Sequence, residues 1–257
     1  MKNNQTIDKD IKLVALDMDG TLLNSEHQVS EENHQAIQEA QEQGVVVVLS
    51  TGRSISTVRE HADTLGLNSY LVTVNGSEIW NENRELFRRE LLPTEQIEWM
   101  YNLSRQYNTG FWAISTEQNW HDEMPEDLHK WEWMKFGFNV WDEKVRETIY
   151  QELKAKGEFE LSNSFVHNIE INPIGINKAK GLQIVCEQLG ISMENVMAVG
   201  DSLNDLAMIN EAGLGVAMGN AQETVKEAAD WVTSANDENG VALAIRTWVL
   251  KDAKKGE

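Results

Sequence analysis

Short apolar runs alternate with amphipathic segments over the first eighty residues of the chain. Leu13–Leu16 and Val45–Leu49 are apolar and too short for helices, which is typical of parallel strands covered on both faces. Between them, a helical pattern begins after Ser30, a residue type favoured at helix N-caps, and ends at Gly44. The remaining elements predicted in this part are a helix over about 54–65 and a strand at 70–74.

The same alternation resumes late in the chain. The predicted elements are a helix over 177–190, a strand at 196–199, a helix over about 203–212, a strand at 214–217, a helix near 221–228, a strand at 231–233 and a closing helix from Gly240. Strands that alternate with helices pair in parallel. The two parts together therefore predict an α/β fold with an open parallel sheet and helices on both faces.

The middle of the chain breaks this rhythm. Seven of the nine tryptophans lie between positions 80 and 141, and the pattern predicts helices at 94–107 and 142–156 with strands near 110–115 and 165–172. We predict that residues 82–173 form an α+β cap inserted into a core made of residues 1–81 and 174–257. Most of the tryptophans are expected in the core of this cap, and the others are open to line a substrate pocket.

The amino-acid composition excludes some classes of binding partner. The chain has 42 acidic and 22 basic residues, a formal net charge of −20. Nucleic-acid binding needs basic surface, so no nucleic-acid partner is expected. Residues Met1–Asp10 are polar and no apolar stretch could span a bilayer, so we expect a cytoplasmic protein without a membrane partner, as a monomer or weak homodimer. The single cysteine, Cys186, lies on an apolar helix face and is expected in the core rather than as a catalytic thiol.

Polar motifs follow three of the predicted strands directly. They are Asp17-Met18-Asp19-Gly20-Thr21, Ser50-Thr51-Gly52-Arg53 and Gly200-Asp201-Ser202-Leu203-Asn204-Asp205. The carboxyl ends of parallel strands open onto one edge of the sheet, which is where ligands bind. We therefore expect one site to collect the polar side chains of Asp17, Asp19, Thr51, Asp201, Asn204 and Asp205.

Several carboxylates in one cleft repel each other unless a cation lies among them. Hard oxygen ligands without nearby histidine or cysteine favour Mg²⁺. We expect Asp17 and Asp201 to bind it directly, the backbone carbonyl of Asp19 to provide a third ligand, and Asp205 to bind directly or through water. The run from His121 to His129 also contains metal-ligating residue types, but a charged loop around Pro125 explains it more simply.

A metal held in this way suits a phosphate ester. We expect Asp17 to attack phosphorus and form an aspartyl-phosphate, and Asp19 to protonate the leaving oxygen and later deprotonate the attacking water. The amides of Met18 and Gly52 and the hydroxyl of Thr51 are candidates to hold the phosphoryl oxygens.

An anionic substrate also needs local positive charge in so acidic a protein. Lys178, at the start of the helix that returns from the insert, is the best candidate because it would neutralise charge during phosphoryl transfer. Arg53 is expected to pair with a carboxylate rather than take part in catalysis.

At these residues the sequence resembles the haloacid dehalogenase superfamily, specifically its Cof-type branch of phosphatases. The matching segments, in the order typical of that family, are Asp17 to Leu23, Thr51-Gly52-Arg53, Gly175-Ile176-Asn177-Lys178 and Gly200 to Asp205. The resemblance implies a Rossmann-like core with an α/β cap inserted between the second and third motifs. It implies Asp17 as nucleophile, Asp19 as acid/base and Asp201 as metal ligand. The phosphate contacts that it implies are Thr51, Gly52, Lys178 and Asn204.

The function expected from residues and resemblance together is that of a Mg²⁺-dependent phosphatase of small phosphorylated metabolites. Sugar phosphates, nucleotides and cofactor phosphates are the candidate substrates. Two alternatives would use the same aspartyl-phosphate: a sugar-phosphate mutase, and a signalling module that only accepts phosphate, as receiver domains do. Asp19, which makes hydrolysis easy, and the large insert both argue against a receiver.

Overall fold

The computed structural model describes residues 9–250, so most of the polar segment Met1–Asp10 lies outside the described part. The strands, in chain order, are β1 (Leu13–Leu16), β2 (Val46–Ser50), β3 (Leu71–Thr73), β4 (Glu78–Trp80), β5 (Leu86–Arg89), β6 (Gly110–Ser115), β7 (Asn119–His121), β8 (Trp133–Asn139), β9 (Phe159–Ser162), β10 (Asn168–Pro173), β11 (Val196–Gly200), β12 (Leu214–Ala217) and β13 (Trp231–Val232). The α-helices are α1 (Glu31–Glu42), α2 (Ile55–Thr64), α3 (Thr94–Tyr107), α4 (Glu143–Lys156), α5 (Lys178–Leu189), α6 (Leu206–Glu211), α7 (Glu223–Ala228) and α8 (Gly240–Trp248).

Eight strands form the first sheet, in the order β13-β12-β11-β1-β2-β3-β4-β5. The strands from β13 to β3 are parallel, and β4 and β5 extend the sheet in antiparallel fashion. β1 lies inside the parallel part, with Leu13 opposite Val196 of β11 on one side and Val46 of β2 on the other. This is the open parallel sheet that the sequence predicts.

Helices cover both faces of this sheet, and the alternation of side chains along β1 shows how. Val14 and Leu16 pack into a core with residues of α1, α2 and α8. Leu13 and Ala15 point the other way, into a second core with residues of α5 and α6. Since both faces are buried, the strand is apolar at every position. Cys186 belongs to this second core, where burial raises the pKa of its thiol to about 11.

The second sheet consists of the five antiparallel strands β7-β6-β8-β10-β9. Its apolar face packs against α3 and α4 in a separate core that contains Trp133, Phe136 and Phe138 of β8. Of the insert tryptophans, Trp133 is buried, whereas Trp141 is 78% exposed. This sheet forms the cap.

The fold class is confirmed: a parallel-sheet α/β core with an inserted antiparallel cap. Two of the predicted elements differ locally from the structure. The predicted strand at 165–172 begins only at Asn168, because residues 163–167 form the loop between β9 and β10. The predicted helix at 203–212 starts as a 3₁₀ turn, Leu203–Asp205, before α6.

The domain boundaries that we predicted at residues 82 and 174 remain a proposal. Strand pairing carries the first sheet beyond residue 82, as far as Arg89. Among the described residues, no helix combines the length and the apolar character that crossing a bilayer requires.

Candidate active site

Three polar loops lie side by side at the carboxyl edge of the parallel sheet. Because β1 pairs with β11 on one side and β2 on the other, the Asp17 loop lies between the Asp201 loop and the Thr51 loop. Asp17, Asp19, Thr51 and Asn204 line one cavity of about 300 Å³. We call it the catalytic cavity. The structure thus brings these predicted residues together.

Asp17, Asp201 and Asp205 form a compact carboxylate cluster. One oxygen from each lies within 4.8 Å of the others, and it is the single grouping of potential metal ligands found among residues 9–250. Asp17 is 5% exposed and Asp205 is fully buried. The segment from His121 to His129, considered above as a metal site, forms no such grouping.

Lys178 is the buried cation of this cluster. Its Nζ donates hydrogen bonds to Oδ1 of Asp17 at 2.5 Å and to Oδ1 of Asp205 at 2.6 Å. The lysine is the first residue of α5, and Asn177 caps that helix through the amide of Lys180. The position of Lys178 matches its expected role of offsetting negative charge in the site.

The protonation equilibria show how crowded these charges are. Burial raises the pKa of Asp17 well above its ordinary value; Lys178 opposes this shift, and Asp205 and Asp201 reinforce it. Burial and the charge of Asp205 likewise raise the pKa of Asp201 to about 7. Burial disfavours the charge on Lys178, but attraction to Asp17 and Asp205 outweighs it and raises the pKa of the ammonium.

These properties fit a divalent cation. Three carboxylates and one ammonium leave two negative charges unbalanced in a buried space, which is the charge that one divalent ion supplies. All of the donors are carboxylate oxygens, the ligand type that Mg²⁺ prefers. The carboxylate oxygens of Asp17, Asp201 and Asp205 could therefore hold a divalent metal ion.

Asp205 mainly holds the loop that carries Asp201. Its Oδ2 accepts hydrogen bonds from the amides of Asp201 (2.9 Å) and Ser202 (3.0 Å), while its Oδ1 accepts from Lys178. Both oxygens of Asp205 are thus engaged within the protein. This arrangement favours binding of Asp205 to a metal through water over direct ligation, two options that the sequence left open.

Gly20 lets the Asp17 loop pass close to Asp201. Its φ is +77°, and a Cβ at this position would lie 2.6 Å from Oδ2 of Asp201. Thr21, the next residue, donates a hydrogen bond to Oδ1 of Asp201 at 3.0 Å. The two acidic loops are therefore joined directly, and only glycine fits between them.

Asp19 is turned towards Arg53 rather than towards the carboxylate cluster. Arg53 donates from Nε to Oδ2 of Asp19 at 2.7 Å and from Nη2 to Oδ1 at 2.5 Å. The carboxylate of Asp19 raises the pKa of the guanidinium through these bonds, against the effect of burial. Arg53 thus pairs with a carboxylate, as expected, but its partner is the predicted acid/base itself.

A left-handed turn after β3 supports the Thr51 loop. Val74 and Asn75 have φ values of 51° and 56°. Their amides donate to the carbonyls of Arg53 and Thr51, both at 2.9 Å. This turn fixes the loop that contains Gly52, so the backbone strain at Val74 and Asn75 lies beside the predicted phosphate contacts.

The cap supplies a second cation that sequence reasoning missed. Lys135 of β8 is 2% exposed, and its Nζ lies 2.8 Å from Oε2 of Glu170 on β10. A Cβ placed on Gly52 would lie 3.2 Å from that Nζ, so Lys135 reaches the Thr51 loop. The sequence does contain a signal that could have identified Lys135 as a candidate site residue, because a lysine interrupts the otherwise apolar run from Trp133 to Phe138.

Asn75 connects this cap pair to the core. Its Nδ2 donates to Oε2 of Glu170 at 2.7 Å, and its Oδ1 accepts from Nδ2 of Asn204 at 3.3 Å. Asn204 Oδ1 is buried without a hydrogen-bond partner in the described part of the chain. Sequence reasoning found Asn204 but missed Asn75, although Asn75 also follows a strand of the parallel sheet.

The chain is similar to known hydrolases and phosphatases. The family model described as haloacid dehalogenase-like hydrolase matches residues 14–140 and 124–245. The 5-amino-6-(5-phospho-D-ribitylamino)uracil phosphatase YcsE of Bacillus subtilis is 55% identical over 246 residues, which cover 96% of this chain and 99% of that protein. The phosphatase YwpJ of the same organism is 32% identical over 280 residues, covering 90% and 98% of the two chains.

A solved structure supports the same relationship. A haloacid dehalogenase-like hydrolase from B. subtilis superposes with a TM-score of 0.85 at 28% identity, covering 92% of this chain and 99% of that one. The similarity therefore includes both the parallel-sheet core and the cap.

Proposed function

This chain belongs to the haloacid dehalogenase-like hydrolases, and from that premise we propose that it hydrolyses the phosphate ester of 5-amino-6-(5-phospho-D-ribitylamino)uracil through an aspartyl-phosphate on Asp17. Family membership and the similarity to YcsE make the chain a phosphatase of small phosphorylated metabolites. The identity of 55% over nearly the whole of both chains supports the particular substrate. A receiver-like module without hydrolytic activity is thereby set aside.

The observation that carries the mechanism is the placement of Asp17. Its carboxylate lies in the wall of the catalytic cavity, beside Asp201 and Asp205, with Lys178 bonded to Oδ1. A carboxylate acts as a nucleophile only while it is ionised, and burial raises the pKa of Asp17. The ammonium of Lys178 favours the ionised form and bonds to Oδ1 of Asp17, and we assign Oδ2, to which Lys178 donates no hydrogen bond, as the attacking atom.

In the first step Oδ2 of Asp17 attacks phosphorus, the bond from phosphorus to the ester oxygen breaks, and that oxygen takes a proton from Asp19. In the second step a water attacks phosphorus, its proton passes to Asp19, and the bond to Oδ2 breaks to release phosphate. Because Arg53 engages both oxygens of Asp19, Asp19 must loosen at least one of these bonds to exchange the proton.

A bound Mg²⁺ would screen the repulsion between the nucleophile and the anionic ester. Asp17 and Asp201 would hold it, with Asp205 behind them and the Asp19 carbonyl as a further proposed ligand. We assign the contacts to the phosphoryl oxygens to the amides of Met18 and Gly52, the hydroxyl of Thr51, and the side chains of Lys178 and Asn204. Their support is that Thr51, Gly52 and Asn204 line the catalytic cavity beside Asp17.

We also keep a cytoplasmic location and a monomeric or weakly dimeric state as proposals. The single, buried cysteine of the chain is consistent with a reducing compartment, since the protein uses no disulfide within itself.

The test is release of phosphate from this substrate with Mg²⁺ and with a chelator. We expect turnover that the chelator abolishes and that Asp17→Asn lowers by about a thousandfold or more. Asp63→Asn is the matched control, because the carboxylate of Asp63 is 62% exposed on α2. An isomerised ester instead of free phosphate would indicate a mutase, and appreciable activity of Asp17→Asn would overturn the covalent mechanism.

A further inference from the structure

A second cavity adjoins the catalytic cavity. It has a volume of about 490 Å³ and shares three lining residues with the catalytic cavity: Asn139, Phe165 and Asn168. The rest of its wall consists of Gly110, Asp122, Trp141 and His167. We call it the ring cavity. A ligand with one end at Asp17 can extend past Phe165 into this space.

The ring cavity is lined by aromatic side chains that the cap core does not use. Phe165 is 66% exposed and Trp141 is 78% exposed. The indole of Trp141 stacks on His167, with ring centroids 4.3 Å apart and planes inclined by 28°. Large exposed aromatic side chains grouped around a cavity mark binding surfaces, because their faces remain free to stack on a ligand.

The loop that carries Phe165 is fixed to the catalytic loop of the core. The hydroxyl of Ser202 donates to the carbonyl of Ser164 at 3.0 Å, and the amide of Asn204 donates to the carbonyl of Asn163 at 3.0 Å. Ser202 and Asn204 lie in the loop that follows Asp201. Phe165 is therefore held at a defined position relative to the phosphate site.

Polar groups at the ring cavity suit the edge of a nitrogen heterocycle. Asn139 has an exposed side chain that can both donate and accept a hydrogen bond. Asp122 accepts one hydrogen bond, from the amide of Phe111 at 2.9 Å, and keeps further acceptor capacity. The amide of Asn168, by contrast, is engaged by the loop itself: its Oδ1 accepts from the amides of Ser164 and Phe165.

We propose that the ring cavity binds a planar nitrogen heterocycle at the end of the substrate remote from the phosphate, with Phe165 stacked on the face of the heterocycle. This inference rests on the proposed function and deepens it. In the proposed substrate a five-carbon ribityl chain separates a uracil ring from the phosphate. The ribityl chain would pass between Asn139 and Phe165, and the carbonyl and N–H groups of the ring would meet Asn139 and Asp122.

The first test measures binding without catalysis. The probe is 5-amino-6-(D-ribitylamino)uracil, the dephosphorylated product, titrated by calorimetry into the parent chain and into Phe165→Ala. We expect Phe165→Ala to weaken binding about tenfold or more, the range found when a stacked aromatic is removed from a base, and Phe165→Tyr to restore most of it. Val166→Ala is the matched control, because Val166 is adjacent and 56% exposed but lines neither cavity.

The second test compares two esters, the ring-bearing substrate and ribitol 5-phosphate, which has the same phosphate and polyol without the ring. We expect Phe165→Ala to lower kcat/KM about tenfold more for the ring-bearing ester than for ribitol 5-phosphate, while Val166→Ala leaves the ratio as in the parent.

Different results would reject the ring cavity and the proposed function. If the product binds the parent and Phe165→Ala equally, or does not bind the parent, the ring cavity is wrong whatever the enzyme hydrolyses. If the parent releases phosphate from neither ester, the proposed function is wrong, and the calorimetric comparison still decides the ring cavity.

Discussion

The guanidinium of Arg53 holds the carboxylate of Asp19 by two hydrogen bonds, from Nε to Oδ2 at 2.7 Å and from Nη2 to Oδ1 at 2.5 Å. Arg53 directly follows Thr51 and Gly52, whereas Asp19 lies two residues after Asp17. The pair therefore ties the proposed proton donor to the loop proposed to hold the phosphate. In the proposed mechanism, this pair would orient the carboxylate of Asp19 relative to the bound ester.

The first prediction concerns this pair. Arg53→Lys keeps the positive charge but loses the two parallel hydrogen bonds to Asp19, so the carboxylate of Asp19 is oriented less well. For a substrate with an alkyl leaving group, which needs protonation in the first step, we expect kcat/KM to fall about tenfold or more, since kcat/KM does not include the later hydrolysis of the aspartyl-phosphate that both esters share. For 4-nitrophenyl phosphate, whose leaving group needs no proton, the fall should be small. Equal losses on both esters, with Arg59→Lys on α2 as the control, would show that Arg53 acts on the phosphate rather than on Asp19.

A second prediction separates backbone strain from site geometry. Gly20 and Gly44 have φ values of 77° and 81°, but only at Gly20 would a Cβ meet another group, Oδ2 of Asp201 at 2.6 Å. Gly44→Ala should cost about 1 kcal/mol of stability and leave Mg²⁺ affinity unchanged. Gly20→Ala should cause the same backbone strain and should also displace the side chain of Asp201. We therefore expect Gly20→Ala to weaken Mg²⁺ binding about 10- to 100-fold. Calorimetric titration of both variants with Mg²⁺ is the measurement, and equal affinities would contradict the contact.

The third prediction is a pH dependence of stability in a chelator. Burial and Asp205 raise the pKa of Asp201 to about 7, so between about pH 4 and pH 7 the folded chain binds a proton that the unfolded chain releases. The free energy of unfolding should therefore fall as pH rises through this window, by an amount on the order of a few kcal/mol. Mg²⁺ should stabilise the chain more at about pH 8 than at about pH 5, since it binds ionised carboxylates.

Thermal unfolding of the parent and of Asp201→Asn, with chelator or with Mg²⁺, tests this dependence. The amide of Asp201→Asn does not titrate, so the decline in Tm with rising pH should be shallower in that variant. Identical slopes for the two proteins would assign the pH dependence to other groups of this acidic chain.

The core elements were predictable because their signals are local. β1 is apolar at all four positions since both of its faces are buried, and Ser30 does cap α1 by accepting from the amide of Asn33. β8 was missed because Lys135 interrupts its apolar run, although six of its seven residues are buried. The edge strand β5 contains two arginines and exposed residues, so it carries no alternating pattern that would predict a strand.

The residues of the candidate site also differ in how far the sequence could predict them. The convergence of Asp17, Thr51 and Asp201 follows from strand order, because each residue lies at the end of a parallel strand. The contribution of Lys135 depends on how the cap sheet meets the core, and no spacing in the sequence specifies that contact. The Asp19–Arg53 bond is intermediate, since both motifs were recognised and only their pairing required coordinates.

The last prediction concerns the buried pair of Lys135 and Glu170. Lys135 lowers the pKa of Glu170 against the effect of burial, helped by hydrogen bonds from Asn75 and Ser164. Lys135→Met leaves the Glu170 carboxylate buried without its cation, so we expect a loss of stability of about 3 kcal/mol. The double variant Lys135→Met/Glu170→Gln removes both charges and should recover much of that loss, as chemical denaturation of both variants would show.

Activity should follow a different rule from stability in this pair. Lys135 lines the catalytic cavity beside Asp17 and Gly52, so its positive charge also faces the anionic substrate. Removing that charge should raise KM several-fold in Lys135→Met, and the double variant should keep the raised KM even though its stability returns. KM and stability respond differently because folding requires only that the buried charges of Lys135 and Glu170 cancel, whereas binding of the anionic substrate requires the positive charge of Lys135. If KM recovered together with stability in the double variant, Lys135 would serve the packing of the cap alone.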